Sequence, residues 1–240
     1  MPLTLAPAEA PTAVAAPMAF FDVDETLIAV KSMFSFLRFH LERRGERPET
    51  YDALVGQLHA DAAAGTPRHE INRRYYRLFA GERAAELAAS GRAWFEDALR
   101  GAAEAGGSLL LAEPVAHLRA HRARGTAVVL LSGSFFACLD PVAELLGADG
   151  ALGTRPIVRR GELTGEVVGP MIGGRKARAA AAAAWLRGAD LDACLAYGDH
   201  ASDLPLLEAV GRGLVVGADP VLAEAARTHG WQFLDAAPGH

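Results

Sequence analysis

The stretch Ala19-Phe20-Phe21-Asp22-Val23-Asp24-Glu25-Thr26 decides the fold of this chain, because a short apolar run ends in two acids spaced two residues apart. Such a run is typical of a buried strand in a parallel sheet. Both acids can then face the crevice outside the carboxyl ends of the strands, where these sheets bind ligands. A solvated acidic turn is the alternative explanation, so the stretch needs support from the rest of the chain.

Strand and helix patterns alternate from Pro114 to the end of the sequence. The apolar runs 126–131 and 194–197 end at small polar residues, and helical patterns lie between them. This alternation predicts an α/β domain with a Rossmann-like parallel sheet and helices on its faces. The pattern also predicts a small hairpin over residues 156–164, with its turn at Arg160-Gly161.

A block of helical patterns interrupts this α/β arrangement. Apolar residues recur at helical spacing over residues 32–44, 51–63, 69–79 and 83–103. We therefore expect an all-helical insert at residues 31–107, within a discontinuous core formed by residues 18–30 and 108–240. Residues 1–17 are rich in alanine and proline, and we expect a disordered leader there.

Composition restricts the possible functions of the chain. Of its 240 residues 51% are hydrophobic, and the net charge of −5 disfavours sequence-independent nucleic-acid binding, which needs a basic surface. No apolar run is long enough to span a membrane. The two cysteines, Cys138 and Cys194, fit neither a zinc spacing nor a disulfide framework, so we expect buried thiols and a cytoplasmic location.

The candidate chemistry lies at three strand ends, which are marked by Asp22, Ser132 and Asp199, and at one lysine. A carboxylate at Asp22 can attack phosphorus, and a neighbouring acid can transfer protons to and from the reacting oxygens. Ser132-Gly133 can form an anion cradle, although a simple helix cap is the alternative. Lys176 lies near a helix start, where its charge opposes the helix dipole, so contact with an anion would explain it better than local stability.

Four motifs, taken together, resemble those of the haloacid dehalogenase superfamily. They are residues 21–27, residues 131–134, Lys176 and Gly198-Asp199-His200-Ala201-Ser202-Asp203, and they occur in the family's order. The helical block directly after the first motif resembles the C1-type cap of the phosphoserine-phosphatase-like branch, subfamily IB. The resemblance covers about residues 18–235.

This resemblance implies a Mg²⁺-dependent phosphatase with an aspartyl-phosphate intermediate. It implies that Asp22 is the nucleophile and Asp24 the general acid and base. It assigns the phosphoryl oxygens to Ser132, Gly133 and Lys176. The remaining implied roles are Mg²⁺ binding by Asp22, the Asp24 backbone carbonyl and Asp199, with support from Asp203 and Thr26.

The sequence departs from the branch at two positions. Glu25 stands where a small residue is commoner, and Lys31 stands where phosphoserine phosphatases place a glutamate that meets the substrate ammonium. We therefore predict a small phosphate monoester other than phosphoserine, with an anionic or hydroxyl-rich leaving group. Lys31 and Phe34 are the candidate specificity residues, although a surface lysine and a core phenylalanine are the plain alternatives.

Other functions remain open from the sequence. A phosphotransferase, a phosphatase of protein-bound or carrier-bound phosphate, and a catalytically silent binding protein would all use the same fold. A true haloacid dehalogenase is disfavoured, because that branch lacks an acid at the position of Asp24. We expect a monomer or homodimer, and we expect His117, His121 and the cap arginines 68, 73, 74 and 77 to be surface residues.

Overall fold

The computed structural model describes residues 16–239, so nearly all of the expected leader, residues 1–15, lies outside the described part. The described residues form eight strands: β1 Met18–Phe21, β2 Ala127–Ser132, β3 Gly150–Gly153, β4 Pro156–Arg159, β5 Glu162–Val167, β6 Leu195–Gly198, β7 Arg212–Val216 and β8 Gln232–Leu234. Six of them form one parallel sheet in the order β3-β2-β1-β6-β7-β8. The α/β fold with a Rossmann-like sheet is therefore confirmed.

The same described residues contain nine α-helices: α1 Ser32–Arg43, α2 Pro48–Ala63, α3 Arg68–Arg77, α4 Ala84–Glu104, α5 Ala112–Ala123, α6 Phe136–Leu146, α7 Gly174–Leu186, α8 Leu204–Glu208 and α9 Pro220–His229. Helices α1 to α4 follow β1 without an intervening strand, so the expected helices over residues 32–103 are present. The limits of the cap, residues 31 and 107, stay a prediction. No helix within residues 16–239 is both long and apolar enough to cross a membrane.

Strand β1 lies in the middle of the sheet and is completely buried. Its alternate side chains contribute to two different cores, because successive residues of a strand point to opposite faces. Phe21 belongs to the core shared with the cap helices, whereas Phe20 belongs to the core that includes Ala180 and Ala184 of α7. Apolar burial on both faces explains why this strand carries no polar residue before Asp22.

The hairpin of β4 and β5 packs on the cap. It turns at Arg160-Gly161, as expected, and both residues have a positive φ. Gly81 N–H donates to Leu163 O at 2.8 Å, and Ala84 N–H donates to Gly161 O at 2.9 Å. The hairpin is therefore joined by hydrogen bonds to the segment between α3 and α4.

The structure differs from the sequence analysis in one unpredicted strand and in the position of one histidine. Strand β3, Gly150–Gly153, was not predicted, because its Gly-Ala-Leu-Gly sequence lacks the β-branched and aromatic residues typical of strands. His121 is buried and not on the surface, because its Nε2 lies 2.8 Å from the Tyr197 hydroxyl beneath the sheet. His117 is half-buried beside the same hydroxyl. Cys138 and Cys194 are free and buried, as expected.

Candidate active site

Asp22 directly follows the central strand, at the point where the order of connections reverses. Its backbone N–H donates to Tyr197 O at 3.0 Å, so the parallel pairing of β1 and β6 continues one residue into the site. The side chain is buried, with 7% of the residue exposed. A carboxylate at this place has a fixed backbone and limited access to water.

Lys176, in the first turn of α7, forms ion pairs with two carboxylates. Its Nζ lies 2.6 Å from Asp22 Oδ1 and 2.6 Å from Asp203 Oδ1. Burial disfavours the charged ammonium, but the charges of Asp203 and Asp22 more than offset this cost, so the pKa of Lys176 lies above its ordinary value. The lysine predicted from its unfavourable position on the helix is therefore a buried cation facing Asp22.

Three carboxylates lie close enough together to hold one cation. Asp22, Asp199 and Asp203 each offer an oxygen, and these oxygens lie within 4.8 Å of one another. Thr26, which is fully buried, donates its hydroxyl hydrogen bond to Asp199 Oδ1 at 3.0 Å. Burial, followed by the charges of Asp22 and Asp203, raises the pKa of Asp199 well above its ordinary value.

This donor set fits a magnesium ion. Mg²⁺ binds oxygen ligands and usually takes only one or two protein carboxylates, with water and phosphate completing its shell. Lys176 carries only one positive charge, so it cannot neutralise all three acids. A divalent cation beside Asp22 and Asp199 would offset both the burial of Asp199 and the repulsion among the three acids.

Asp24 also lines the cavity, but it has a different environment. Its Oδ1 is buried and has no hydrogen-bond partner among the described residues. Burial raises the pKa of Asp24 to about 7, while a hydrogen bond from Ser32 opposes this shift. Asp22 and Asp24 therefore differ in a way that suits two chemical roles, since one is paired with a lysine and the other has a free buried oxygen.

The segment after β2 has a firmly held backbone. Ser134 N–H donates to Ser132 Oγ at 3.0 Å. The Gly133 carbonyl accepts three hydrogen bonds, from Asn72 Nδ2 at 3.0 Å, Tyr76 Oη at 3.0 Å and Thr154 Oγ1 at 2.7 Å. With its carbonyl oxygen fixed, the peptide that follows Gly133 has a defined orientation beside the cavity.

Asn72, Tyr76 and Thr154 were missed as site residues by sequence reasoning. Asn72 and Tyr76 are four residues apart on α3 and therefore share one face of that helix. This spacing was the only available signal, and by itself it is also typical of core packing. The sequence could not show that Thr154, which directly follows β3, shares their acceptor.

A cavity of about 330 Å³ opens over these groups, between the cap helices and the carboxyl ends of the strands. It is lined by Asp22, Asp24, Lys31, Met33, Phe34, Leu58, Ala62, Thr66, Arg68, Ile71, Asn72, Tyr75, Ser132, Gly133, Ile172, Lys176 and Ser202. Its volume is at the lower end of the range for small-ligand sites, about 300–1,000 Å³.

The structure places both candidate specificity residues at this cavity. Phe34 is half-buried and packs edge-on against Tyr75, with ring centroids 6.3 Å apart. Lys31 is exposed, and its Nζ lies 3.3 Å from a carboxylate oxygen of Glu25. Arg68 is exposed, as expected, and it also lines the cavity, whereas Arg74 and Arg77 pair with acids of the cap and hairpin.

The fold and the site together define an α/β enzyme that has a buried aspartate–lysine pair at the switch point of a parallel sheet. The sequence profile of the haloacid dehalogenase-like hydrolases matches residues 19–208. The chain therefore belongs to the haloacid dehalogenase-like hydrolase family, and it is a phosphatase of that family.

Relatives and solved structures agree with this assignment. The chain is 34% identical over 224 residues to a probable phosphatase of Mycobacterium tuberculosis, covering 90% of this chain and 74% of the relative. It is 30% identical over 231 residues to a phosphoserine phosphatase of the same organism, covering 90% and 70%.

Two solved structures share the fold. A Bordetella pertussis protein of unknown function matches with a TM-score of 0.81 and 27% identity, covering 92% of this chain and 99% of that one. A phospho-aspartyl intermediate analogue of phosphoserine phosphatase matches with a TM-score of 0.65 and 21% identity, covering 93% and 95%. The latter similarity supports the fold alone.

Proposed function

We propose that this protein is a Mg²⁺-dependent phosphatase that hydrolyses a small organic phosphate monoester through a phosphorylated Asp22. The observation that carries the proposal is the buried pair of Asp22 and Lys176, 2.6 Å apart, at the floor of the cavity. A carboxylate that is held in place by a lysine can act as a nucleophile towards phosphorus.

The first half-reaction transfers the phosphoryl group to the protein. A carboxylate oxygen of Asp22 forms a bond to phosphorus while the bond from phosphorus to the leaving oxygen breaks. Asp24 gives its proton to that leaving oxygen, so the product departs as a neutral alcohol. The unpartnered Asp24 Oδ1 faces no competing donor among the described residues.

The second half-reaction restores the protein. Asp24, now ionised, removes a proton from water, and the water oxygen forms a bond to phosphorus. The bond from phosphorus to Asp22 breaks, and inorganic phosphate leaves. Mg²⁺, when bound by Asp22, the Asp24 carbonyl and Asp199, would neutralise charge on the transferred phosphoryl group. Asp203 would position Lys176, and Thr26 would position Asp199.

The loop after β2 supplies hydrogen bonds to the phosphoryl oxygens. The Ser132 hydroxyl and the backbone N–H of Gly133 would donate to these oxygens, because both residues line the cavity beside Lys176. The three hydrogen bonds that hold the Gly133 carbonyl keep this loop rigid. Preorganised donors of this kind lower the cost of developing charge in the transition state.

Phosphoserine is not the substrate in this proposal. An ammonium group would need a carboxylate in the cap part of the cavity, yet the only acids that line the cavity within the described residues are Asp22 and Asp24. Lys31 adds a positive charge at the mouth instead. One relative named above is a phosphoserine phosphatase, so the comparison of phosphoserine with other esters is a direct test of this point.

The proposed function is tested by hydrolysis of p-nitrophenyl phosphate with Mg²⁺ and with EDTA. We expect activity that requires Mg²⁺ and that falls at least about a thousandfold in Asp22→Asn. Asp97→Asn, which changes an exposed acid on α4, is the matched control and keeps full activity. Rapid acid quench with labelled substrate traps the phosphoprotein in the wild type.

Two results would contradict the proposal. Mg²⁺-dependent hydrolysis that survives in Asp22→Asn would remove Asp22 as the nucleophile. Release of alcohol without a matching amount of inorganic phosphate would indicate a phosphotransferase, since the phosphoryl group would then be passed to an acceptor other than water.

A further inference from the structure

The cap side of the cavity is apolar. Its wall is made by Met33, Phe34, Leu58, Ala62, Ile71 and Tyr75. Two polar side chains on this side are bonded within the protein, because the Tyr75 hydroxyl donates to Met33 O at 2.6 Å and Asn72 Nδ2 donates to Gly133 O. Thr66 and Arg68 also line the cavity. A hydroxyl of the leaving group that lies against the apolar wall would lose its water without gaining a protein hydrogen bond.

Arg68 stands at the mouth of this apolar part without an acidic partner. Among residues 16–239 no carboxylate lies within ion-pair distance of its guanidinium. Its one polar contact is His200 Nε2, 3.2 Å from Nη1. Lys31, by contrast, already has Glu25 as a partner.

The contact between Arg68 and His200 uses at most one of the five N–H groups of the guanidinium. An anion is the group that would complete the arginine's hydrogen bonds.

We propose that the substrate is a phosphate monoester of an apolar alcohol that carries a second anionic group at its far end, and that Arg68 binds this second group. The inference rests on the proposed phosphatase function and specifies its substrate class. In this inference the part of the leaving group that lies beside Phe34 and Ile71 is apolar. Arg68, and not Lys31, is the main residue that recognises its charge.

The test uses four esters: propyl phosphate, hexyl phosphate, 6-(phosphonooxy)hexanoate and, as the uncharged counterpart of the third, the carboxamide of that acid. We expect kcat/KM to be about tenfold or more higher for the hexyl than for the propyl ester, because three more methylenes are buried. We expect kcat/KM to be about fivefold higher for the carboxylate than for its carboxamide, which is the effect of one partly exposed ionic contact.

Two variants separate the parts of the inference. Arg68→Gln should bring the ratio of carboxylate to carboxamide close to one, whereas Arg73→Gln, on the same helix but outside the cavity lining, should leave that ratio as in the wild type. Ile71→Ser, at a half-buried position, should lower the ratio of hexyl to propyl ester about tenfold.

The binding of hexyl and propyl phosphate to the Asp22→Asn variant, measured by titration calorimetry in the presence of Mg²⁺, does not depend on turnover. Tighter binding of hexyl than of propyl phosphate, without hydrolysis by the wild type, would support the inference and contradict the proposed function. Equal binding and equal turnover of these two esters, with Asp22-dependent hydrolysis of p-nitrophenyl phosphate, would overturn the inference and leave the phosphatase intact. An unchanged carboxylate preference in Arg68→Gln would remove Arg68 as the anion-binding residue.

Discussion

Glu25 adopts a backbone conformation that side chains rarely take. Its φ is 57°, and its N–H donates to Ile28 O at 2.8 Å in the tight turn after Asp24. This conformation strains any residue with a Cβ, and glycine adopts it freely. The departure noted in the sequence, an acid where a small residue is commoner, therefore has a structural cost.

Glu25→Gly should stabilise the protein by about 1 kcal/mol, because glycine removes the strain at this position. The lost contact with Lys31 subtracts little, since both side chains are about half exposed, 47% and 56%. Urea denaturation in metal-free buffer measures the change. Glu86→Gly, at an exposed position inside α4, is the control and should destabilise by about 1 kcal/mol. A loss of stability in Glu25→Gly would show that the turn depends on the glutamate side chain.

Helices α4 and α6 touch through their backbones. A Cβ at Gly91 of α4 would lie 1.8 Å from Ala137 O and 2.6 Å from Ala137 C, which no side-chain rotation can relieve. The absence of a side chain at Gly91 therefore lets the long cap helix α4 lie directly against α6, the helix that follows the loop after β2.

Gly91→Ala should destabilise the protein by about 3 kcal/mol or more, since the two helices must move apart to admit a methyl group. Gly101→Ala, in the same helix with nothing within 4 Å of the added Cβ, is the matched control. It should stabilise by about 0.5–1 kcal/mol, because alanine is the better helix former. Thermal and urea unfolding compare the two variants, and equal effects would contradict the close contact between α4 and α6.

Two histidines, His40 and His121, are buried in the folded protein. Burial lowers the pKa of His121 and of His40 below the ordinary value of 6.5. His121 contacts the Tyr197 hydroxyl, and the Tyr197 ring stacks on Phe21 with centroids 3.9 Å apart. Protonation of His121 would thus place a charge beneath the central strands of the sheet.

The sign of the pH effect follows from proton uptake. The unfolded chain protonates His121 near pH 6.5, whereas the folded protein does so only at lower pH, so stability should fall as pH drops below about 6.5. His121→Asn should make this decline shallower than in the wild type. Denaturation at several pH values between 7.5 and 5.5 measures the slopes, and His69→Asn, on an exposed turn of α3, is the control. Identical slopes for His121→Asn and the wild type would show that His121 does not cause the loss of stability at low pH.

Several features were available from the sequence because they are local. The apolar run before Asp22 must be buried on both faces, so it predicted a central parallel strand. The helices of the cap were predicted from the spacing of their apolar residues. The acids and the serine at the strand ends were predicted to converge, because parallel strands present their carboxyl ends at one edge. Lys176 was singled out because its charge opposes the dipole of α7.

Tertiary structure alone decided the rest, because those features depend on residues far apart in the sequence. Strand β3 has weak intrinsic preference for a strand and forms by pairing with β2. Asn72, Tyr76 and Thr154 meet at the Gly133 carbonyl although they are 21 to 61 residues from it. The burial of His121 depends on β6, and the isolation of Arg68 depends on which acids the folded chain places elsewhere. A sequence determines the chemistry of each side chain, but only packing decides which groups are desolvated together and which are left without a partner.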